Sequence, residues 1–368
     1  MAGLAIMLMT QGASGSFAQS GIATAGYIAG LAVLAPILGR YIDSSGPRRI
    51  LIASVMIYPS AMLALAAATL MSASPWMVLL VGLAAGASYP PITVCMRTLL
   101  KRLLTEEEQI QTAFSLESVL IEAIFIVGPL IVAVLVALIA PLAAVVFAAL
   151  CAAIGTLLFL RSPLLRAWRI EPRSHASLLG PLATPGFASL LVVVLCYSSA
   201  FGLIEIAVTG YAGARGHPAL AGVMLGLMSV GSVTGALAYG SRTWRWPLAR
   251  QFTIGLALLA AGAALLASVE HLLGFSIACV LAGLAMSPPL IMQSMLVAKT
   301  ARSEHSTEAF TWASTSLLSG VSLGIATGGA LLEAGGVASA FGAAAAAALA
   351  ASLLALLRHS HDTARQSA

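Results

Sequence analysis

Charge is what this sequence has least of. Asp, Glu, Lys and Arg make up 8% of its 368 residues, against 60% hydrophobic residues and a mean hydropathy of +1.00. A soluble core of this length sits under a charged shell, and that shell is missing. Histidine is nearly as scarce. All six histidines fall in loops or the tail, which argues against a haem or an intramembrane metal site. Cys95, Cys151, Cys196 and Cys279 each lie inside an apolar run, with no pair at metal-ligand spacing, so neither a metal site nor a disulfide is expected. They read as small apolar packing residues. The net charge of +5 is dispersed among short connections, with no basic patch or basic helix, which argues against nucleic acid as a partner. A nucleotide-binding loop is lacking too, so an ion gradient is the expected driving force and no cofactor is expected.

Long apolar runs are what the sequence has instead. Runs of 18 or more apolar residues read as membrane spans. They fall at roughly 1–17, 19–41, 50–71, 75–98, 112–139, 142–161, 186–211, 218–240, 247–268, 271–297, 308–332 and 335–357. Ser74-Pro75, Pro141 and His217-Pro218 mark breaks between them. The first run is deficient: Met1–Thr10 is apolar, then Gln11, Gly12 and Ser14 weaken it. It has no basic flank and is not read as a signal peptide. The expectation is a start site further upstream, with half a helix missing here. Of the 18 Lys and Arg residues only Arg215 falls on one side of this layout, and the other 17 fall on the opposite side. Basic loops face the cytoplasm. A multi-pass protein of the inner (plasma) membrane with a cytoplasmic C-terminus is therefore expected.

The stretch 161–186 is rich in Pro and Arg and divides the spans into two sets of six. The expected organisation is an N-terminal bundle at 1–160 with helix 1 incomplete, a cytoplasmic linker at 161–185, a C-terminal bundle at 186–358 and a tail at 359–368. The two sets resemble each other. "GLAAGASYPPI" at 82–92 matches "LAGLAMSPPLI" at 281–291, with the Pro pair displaced by 198. "TAFSLESVL" at 112–120 matches "EAFTWASTSLL" at 308–318, with the Phe displaced by 196, and Gly39 maps to Gly235 by the same 196. Parallel repeats of this kind build alternating-access transporters, with the substrate site at the midplane.

One cluster of charge stands out: "GRYIDSSGPRR", 39–49, between spans 2 and 3. It resembles the loop 2–3 signature of the major facilitator superfamily: Gly, three residues, Asp, a basic residue, any residue, Gly, then two basic residues. Gly39, Asp43, Gly46, Arg48 and Arg49 take the matching places. Ser44 departs from the pattern, where the family has Arg or Lys. The resemblance covers essentially the whole chain apart from the short first helix. It implies that this loop latches the halves together in the outward-open state and releases them in the inward-open one. Gly128-Pro129 in span 5 resembles the family's antiporter dipeptide, but the glycines expected after it are absent, and span 4 lacks an Arg in its outer half.

Within the loop, Gly46 suits a tight turn, and Gly39 allows another helix close approach. Asp43 can accept hydrogen bonds from a facing helix N-terminus and from Arg40 or Arg97. Arg48 and Arg49 are read as topological anchors. Asp43 maps by the repeat to Tyr239, in a second loop with no acid, so an acid is not needed merely to turn the chain. Three acids lie inside spans, where charge is costly: Glu117, Glu122 and Glu205. Glu122 is nearest mid-span and is the first candidate for carrying a proton. Glu117 is expected near Arg97 as a structural ion pair or a second carrier. Glu205 lies in the outer half of span 7, near the headgroups. Tyr27, Tyr58, Tyr89, Tyr197 and Met292 are candidates to line a substrate cavity, with plain packing as their simpler reading. Gly82 and Gly86 are spaced for helix approach. "TEEE", 105–108, reads as a helix start and not a metal site. "GASG", 12–15, resembles a serine-protease motif, but no span holds a histidine to serve as base.

The expected fold class is an all-α polytopic membrane protein of two six-helix bundles with a shortened first helix. The expected function is not enzymatic. It is secondary active transport, most simply proton-coupled export of a small amphipathic molecule, drug or sugar-like, by alternating access. The expected partners are the lipid bilayer, a small-molecule substrate and protons, with the chain a monomer. A proton-coupled importer is the alternative within the class, and a non-transporting membrane sensor or scaffold the alternative outside it.

Overall fold

The structure is a computed structural model that describes residues 2–14, 17–166, 168, 170, 180–217 and 220–366. Part of the expected linker (167, 169 and 171–179), Gly15 of the protease-like stretch, Pro218 and the last residues of the tail lie outside the described residues. No strand occurs among the described residues.

The helices run in order as α1 (Ala2–Ser14), α2 (Phe17–Ser45), α3 (Pro47–Leu70), α4 (Pro75–Ala87), α5 (Ile92–Leu103), α6 (Glu107–Leu138), α7 (Pro141–Arg161) and the short α8 (Pro163–Arg166). After them come α9 (Phe187–Ala214), α10 (Leu220–Gly240), α11 (Leu248–Ser268), α12 (Leu272–Leu284), α13 (Ser287–Thr300) and α14 (Ser306–Gln366). Among the described residues, ten helical stretches are long and apolar enough to cross a membrane. The last of these, Ser303–Arg358, holds two spans joined at Gly336, whose φ of 72° breaks the helix. The 13 residues of α1 rise only about 20 Å, short of a bilayer core.

Proline sets most of the starts. Pro47, Pro75 and Pro141 each occupy the first turn of their helices, where a missing N–H costs nothing. Ser74 adds a cap, its Oγ accepting from Met77 N at 3.4 Å. α6 starts five residues before the expected run, with Glu107 and Glu108 in its first turn. Hydropathy sees only the hydrocarbon-facing part of a helix, whereas acids favour extending its N-terminus.

The two Pro-Pro pairs of the repeat do more than mark it. Span 4 breaks between α4 and α5 at Ser88–Pro91, and span 10 breaks between α12 and α13 at Ala285–Met286, just before Pro288 and Pro289. Prolines at these points leave carbonyls without donors, so the helix ends and restarts. The continuous spans expected at 75–98 and 271–297 are each two half-helices.

The chain forms two compact units. One comprises Met1–Arg102, Ala123–Ala176 and Ser303–Thr311, the other Leu103–Glu122, Ser177–Arg302 and Trp312–Ala368. In the first, α2 packs closely along α4, α1 lies against α2 and α7, and α3 lies against α7. A Cβ on Gly86 would overlap the Tyr27 carbonyl, and one on Gly82 would come within 2.8 Å of the Ala23 oxygen. These two positions admit only glycine at this spacing. The second unit repeats the arrangement with α10 against α12, where Gly231 and Gly283 play the same part. The first unit's core includes Ile6, Tyr27, Tyr58, Met62, Val78 and Val145. Outward faces stay apolar, with Ile37 at 63%, Met56 at 69% and Leu130 at 62% exposure. Apolar surface on this scale needs a bilayer around it.

Candidate functional site

The loop between α2 and α3 is a single residue. Gly46 N donates to Ile42 O at 2.8 Å, and its φ of 80° turns the chain straight into Pro47. Arg48 and Arg49 lie exposed in the first turn of α3. Asp43, one turn before the corner, is 2% exposed. Its carboxylate meets the start of α14, which belongs to the same compact unit. Oδ1 accepts from Thr307 N at 3.0 Å and Oδ2 from Glu308 N at 2.8 Å. An acid thus caps a helix N-terminus supplied by a segment 264 residues away.

Gly39 makes the approach possible. A Cβ there would sit 2.6 Å from Thr311 Oγ1 and 2.9 Å from Glu308 Cα. Arg40 then reaches the Glu308 carboxylate, with Nε 3.2 Å from both oxygens and an Nη 2.8 Å from Oε1. This two-pronged ion pair holds a carboxylate that is itself 3% exposed. α5 adds further ties: Thr98 Oγ1 donates to Thr307 Oγ1 at 3.3 Å, Lys101 Nζ to Ser306 Oγ at 2.9 Å, and Arg102 Nη2 to Ser303 O at 3.4 Å. Arg97 lies half-buried on the same helix. His305, buried, lies 3.8 Å from Glu308 Oε2 and 3.9 Å from Glu304 Oε1. Sequence reasoning missed Glu308 and His305, because both sit beside the expected start of a span and carry no local motif. Ser44, at the place where the family has a basic residue, is exposed, and its Oγ donates to Tyr41 O at 2.9 Å.

Three of the five cavity candidates come together at the break in span 4. Tyr27 and Tyr58 share a hydroxyl hydrogen bond of 3.2 Å, and the Tyr89 ring stands edge-on to Tyr58 with centroids 5.4 Å apart. Tyr27 and Tyr58 are buried, whereas Tyr89, in the break itself, is 39% exposed. The other two candidates lie in the second unit. Tyr197 is buried, donates to Gln293 Oε1 and meets Phe252 edge-on at 6.1 Å. Met292, on α13 beside Gln293, lines a cavity of about 260 Å³ between α10, α11 and the break in span 10.

That second break also carries the mid-span acid. Glu122, sixteenth of the 32 residues of α6, is half-buried, and its Oε1 accepts from Ser232 Oγ at 2.7 Å. Ser232 Oγ lies 2.6 Å from Ser287 Oγ, at the first residue of half-helix α13. A carboxylate, two hydroxyls and a half-helix N-terminus form a short polar chain inside an apolar bundle. Glu117 is buried on α6, and Glu205 is exposed on α9. Glu107 ends in an ion pair with Lys299 at 2.6 Å, and no cluster of three His, Cys, Asp or Glu side chains occurs among the described residues. The two serines escaped sequence reasoning because a lone serine barely lowers the hydropathy of its span.

A family model described as Major Facilitator Superfamily matches residues 1–247. The chain belongs to the major facilitator superfamily. Solved structures agree on the fold of this facilitator. The human organic anion transporter aligns with a TM-score of 0.70 at 19% identity, covering 91% of this chain and 84% of that one. A bacterial homologue of the iron transporter ferroportin, in an outward-facing state, gives 0.75 at 15% identity, covering 97% and 98%. The E. coli fucose:proton symporter gives 0.71 at 14%, covering 97% of each chain. No curated protein matches the sequence. The facilitator is a multi-pass membrane transporter by family and fold.

Proposed function

We propose that this facilitator exports a small amphipathic molecule, drug or sugar-like, in exchange for protons, by alternating access. The observation that carries the reading is the Glu122–Ser232–Ser287 chain at the break in span 10. Broken helices at matching points of two repeats are where such transporters place substrate and coupling-ion sites. A carboxylate fixed by a hydroxyl there can be charged in one state and neutral in the other, which ties proton movement to conformation. Gly128-Pro129, inside α6 six residues beyond Glu122, supports the antiport direction. Tyr89, exposed at the break in span 4 and backed by the buried Tyr27–Tyr58 pair, offers an aromatic ring with a hydroxyl tip, suited to an amphipathic or sugar-like substrate. Asp43, Gly39 and Arg40 form the latch, and Glu117 and Glu205 are secondary carriers. The functional halves are 1–160 and 186–358, with 161–185 as linker and 359–368 as tail, in the plasma membrane with a cytoplasmic C-terminus, as a monomer.

Proton-coupled import is the second reading, favoured by the fucose:proton symporter among the fold relatives. Proteoliposome flux under imposed pH gradients separates the two. Export is supported when flux runs against the proton gradient and import when it runs with it. Flux indifferent to pH would refute both.

A further inference from the structure

The cavity beside α13 is distinct from the Glu122 chain and from the tyrosines of span 4. Its walls are apolar, with Gly235 and Ala238 from α10, Leu258 from α11, and Pro288 and Met292 from α13. At about 260 Å³ it is smaller than the ~300–1000 Å³ of pockets that enclose a drug-sized molecule. It also opens on an outward face: Ala238 is exposed and Leu258 is 58% exposed. On a membrane protein that face meets acyl chains.

The rim has a different character. Arg242, Trp244 and Trp246 close one end of the cavity. Trp244 stacks on Tyr239 at 5.5 Å and donates from Nε1 to Tyr239 O at 3.1 Å, so its ring is fixed. The Arg250 guanidinium lies 5.1 Å over the Trp246 ring. Both tryptophans are partly exposed, at 41% and 49%, and Arg242, Arg245 and Arg250 are all exposed. No acid lines the cavity. Glu107 is paired with Lys299. Tryptophan and arginine together at the end of an apolar groove mark headgroup depth. Exposed arginines above an apolar slot complement a phosphate that carries a hydrocarbon tail.

We propose that this cavity is a binding site for an anionic phospholipid of the leaflet on the basic-loop side. One acyl chain enters between α10 and α11, and Arg242 and Arg250 engage the phosphate. The small volume suits a stretch of one chain, and the fixed Trp244 ring bounds it.

The test uses the full chain in phosphatidylcholine vesicles, doped at equal mole fraction with phosphatidylglycerol or phosphatidylcholine brominated on the acyl chains. Bromine quenches tryptophan on contact. The expected result is stronger quenching by the brominated phosphatidylglycerol, with the excess lost in Trp244→Phe/Trp246→Phe. Each arginine near an anionic surface adds about a fivefold preference, so Arg242→Gln and Arg250→Gln each lower it about fivefold. Equal quenching by the two lipids in the unaltered protein overturns the proposal without recourse to any variant. So does an excess that survives removal of Trp244 and Trp246, which places the lipid elsewhere. Displacement by soluble glycerol phosphate overturns the lipid assignment in favour of a free-phosphate site, and displacement by a neutral amphipath overturns it in favour of a substrate.

Discussion

Replacing Asp43 by Asn alters one atom at the best-defined contact in the molecule. The carboxylate accepts two backbone N–H groups, from Thr307 at 3.0 Å and Glu308 at 2.8 Å, at 2% exposure. An amide keeps one acceptor and turns the other into a donor facing an N–H. One charge-assisted bond is lost, worth about 1.5–3 kcal/mol, and with it the carboxylate's attraction for the helix N-terminus, about 0.3–1 kcal/mol. The state that holds this contact should therefore lose about 2–4 kcal/mol. At 1.4 kcal/mol per decade, the balance between the latched and released states shifts roughly 30- to 1000-fold. Leaving the latched state becomes easy and returning becomes hard, so a transport cycle that needs both slows. A substrate that binds both states alike is indifferent to their populations, so affinity should change little. Flux into proteoliposomes and equilibrium binding of the same substrate measure the two separately. If affinity collapses while turnover survives, Asp43 serves the substrate site and the latch reasoning is wrong.

Glu122→Gln should leave expression and substrate binding intact and abolish flux driven by a pH gradient; coupling that persists would remove Glu122 as proton carrier. Arg40→Gln strands the buried Glu308 carboxylate. Breaking a buried pair costs about 3–5 kcal/mol, reduced here to roughly 1–3 because the Arg40 side chain is 38% exposed. Glu308→Gln in the same chain should restore part of the melting temperature in detergent, and no restoration would mean the pair is not the source of the loss. Gly86→Ala pushes a methyl into the Tyr27 carbonyl and should cost several degrees of thermal stability through the α2–α4 crossing. A neutral result would show that the two helices separate freely.

The spans were legible because hydropathy, proline and charge are local signals. Pro47, Pro75 and Pro141 start helices where the sequence places a break, and Gly46 and Gly39 occupy the turn and the close approach that their lack of a side chain suggests. The Pro-Pro pairs were visible as a repeat but not as breaks, since the dips at Tyr89–Pro91 and Ser287–Pro289 are short and apolar residues flank them on both sides. Partners were the hardest to read. Arg40 and Glu308 are 268 residues apart, and nothing local to either points to the other. Ser232 and Ser287 are small hydroxyls of the kind that satisfy themselves on their own helix in any span; only the folded arrangement sets them beside Glu122.

The single-residue corner at Gly46 has a mechanical consequence. One residue spans at most about 3.6 Å, less than the roughly 5.4 Å rise of a helical turn. α2 and α3 therefore cannot slide past each other by a turn without unwinding. The pair behaves as a crank with a rigid elbow. Tilting at the Asp43 end of α2 is passed directly to α3, with Arg48 and Arg49 exposed just beyond the elbow.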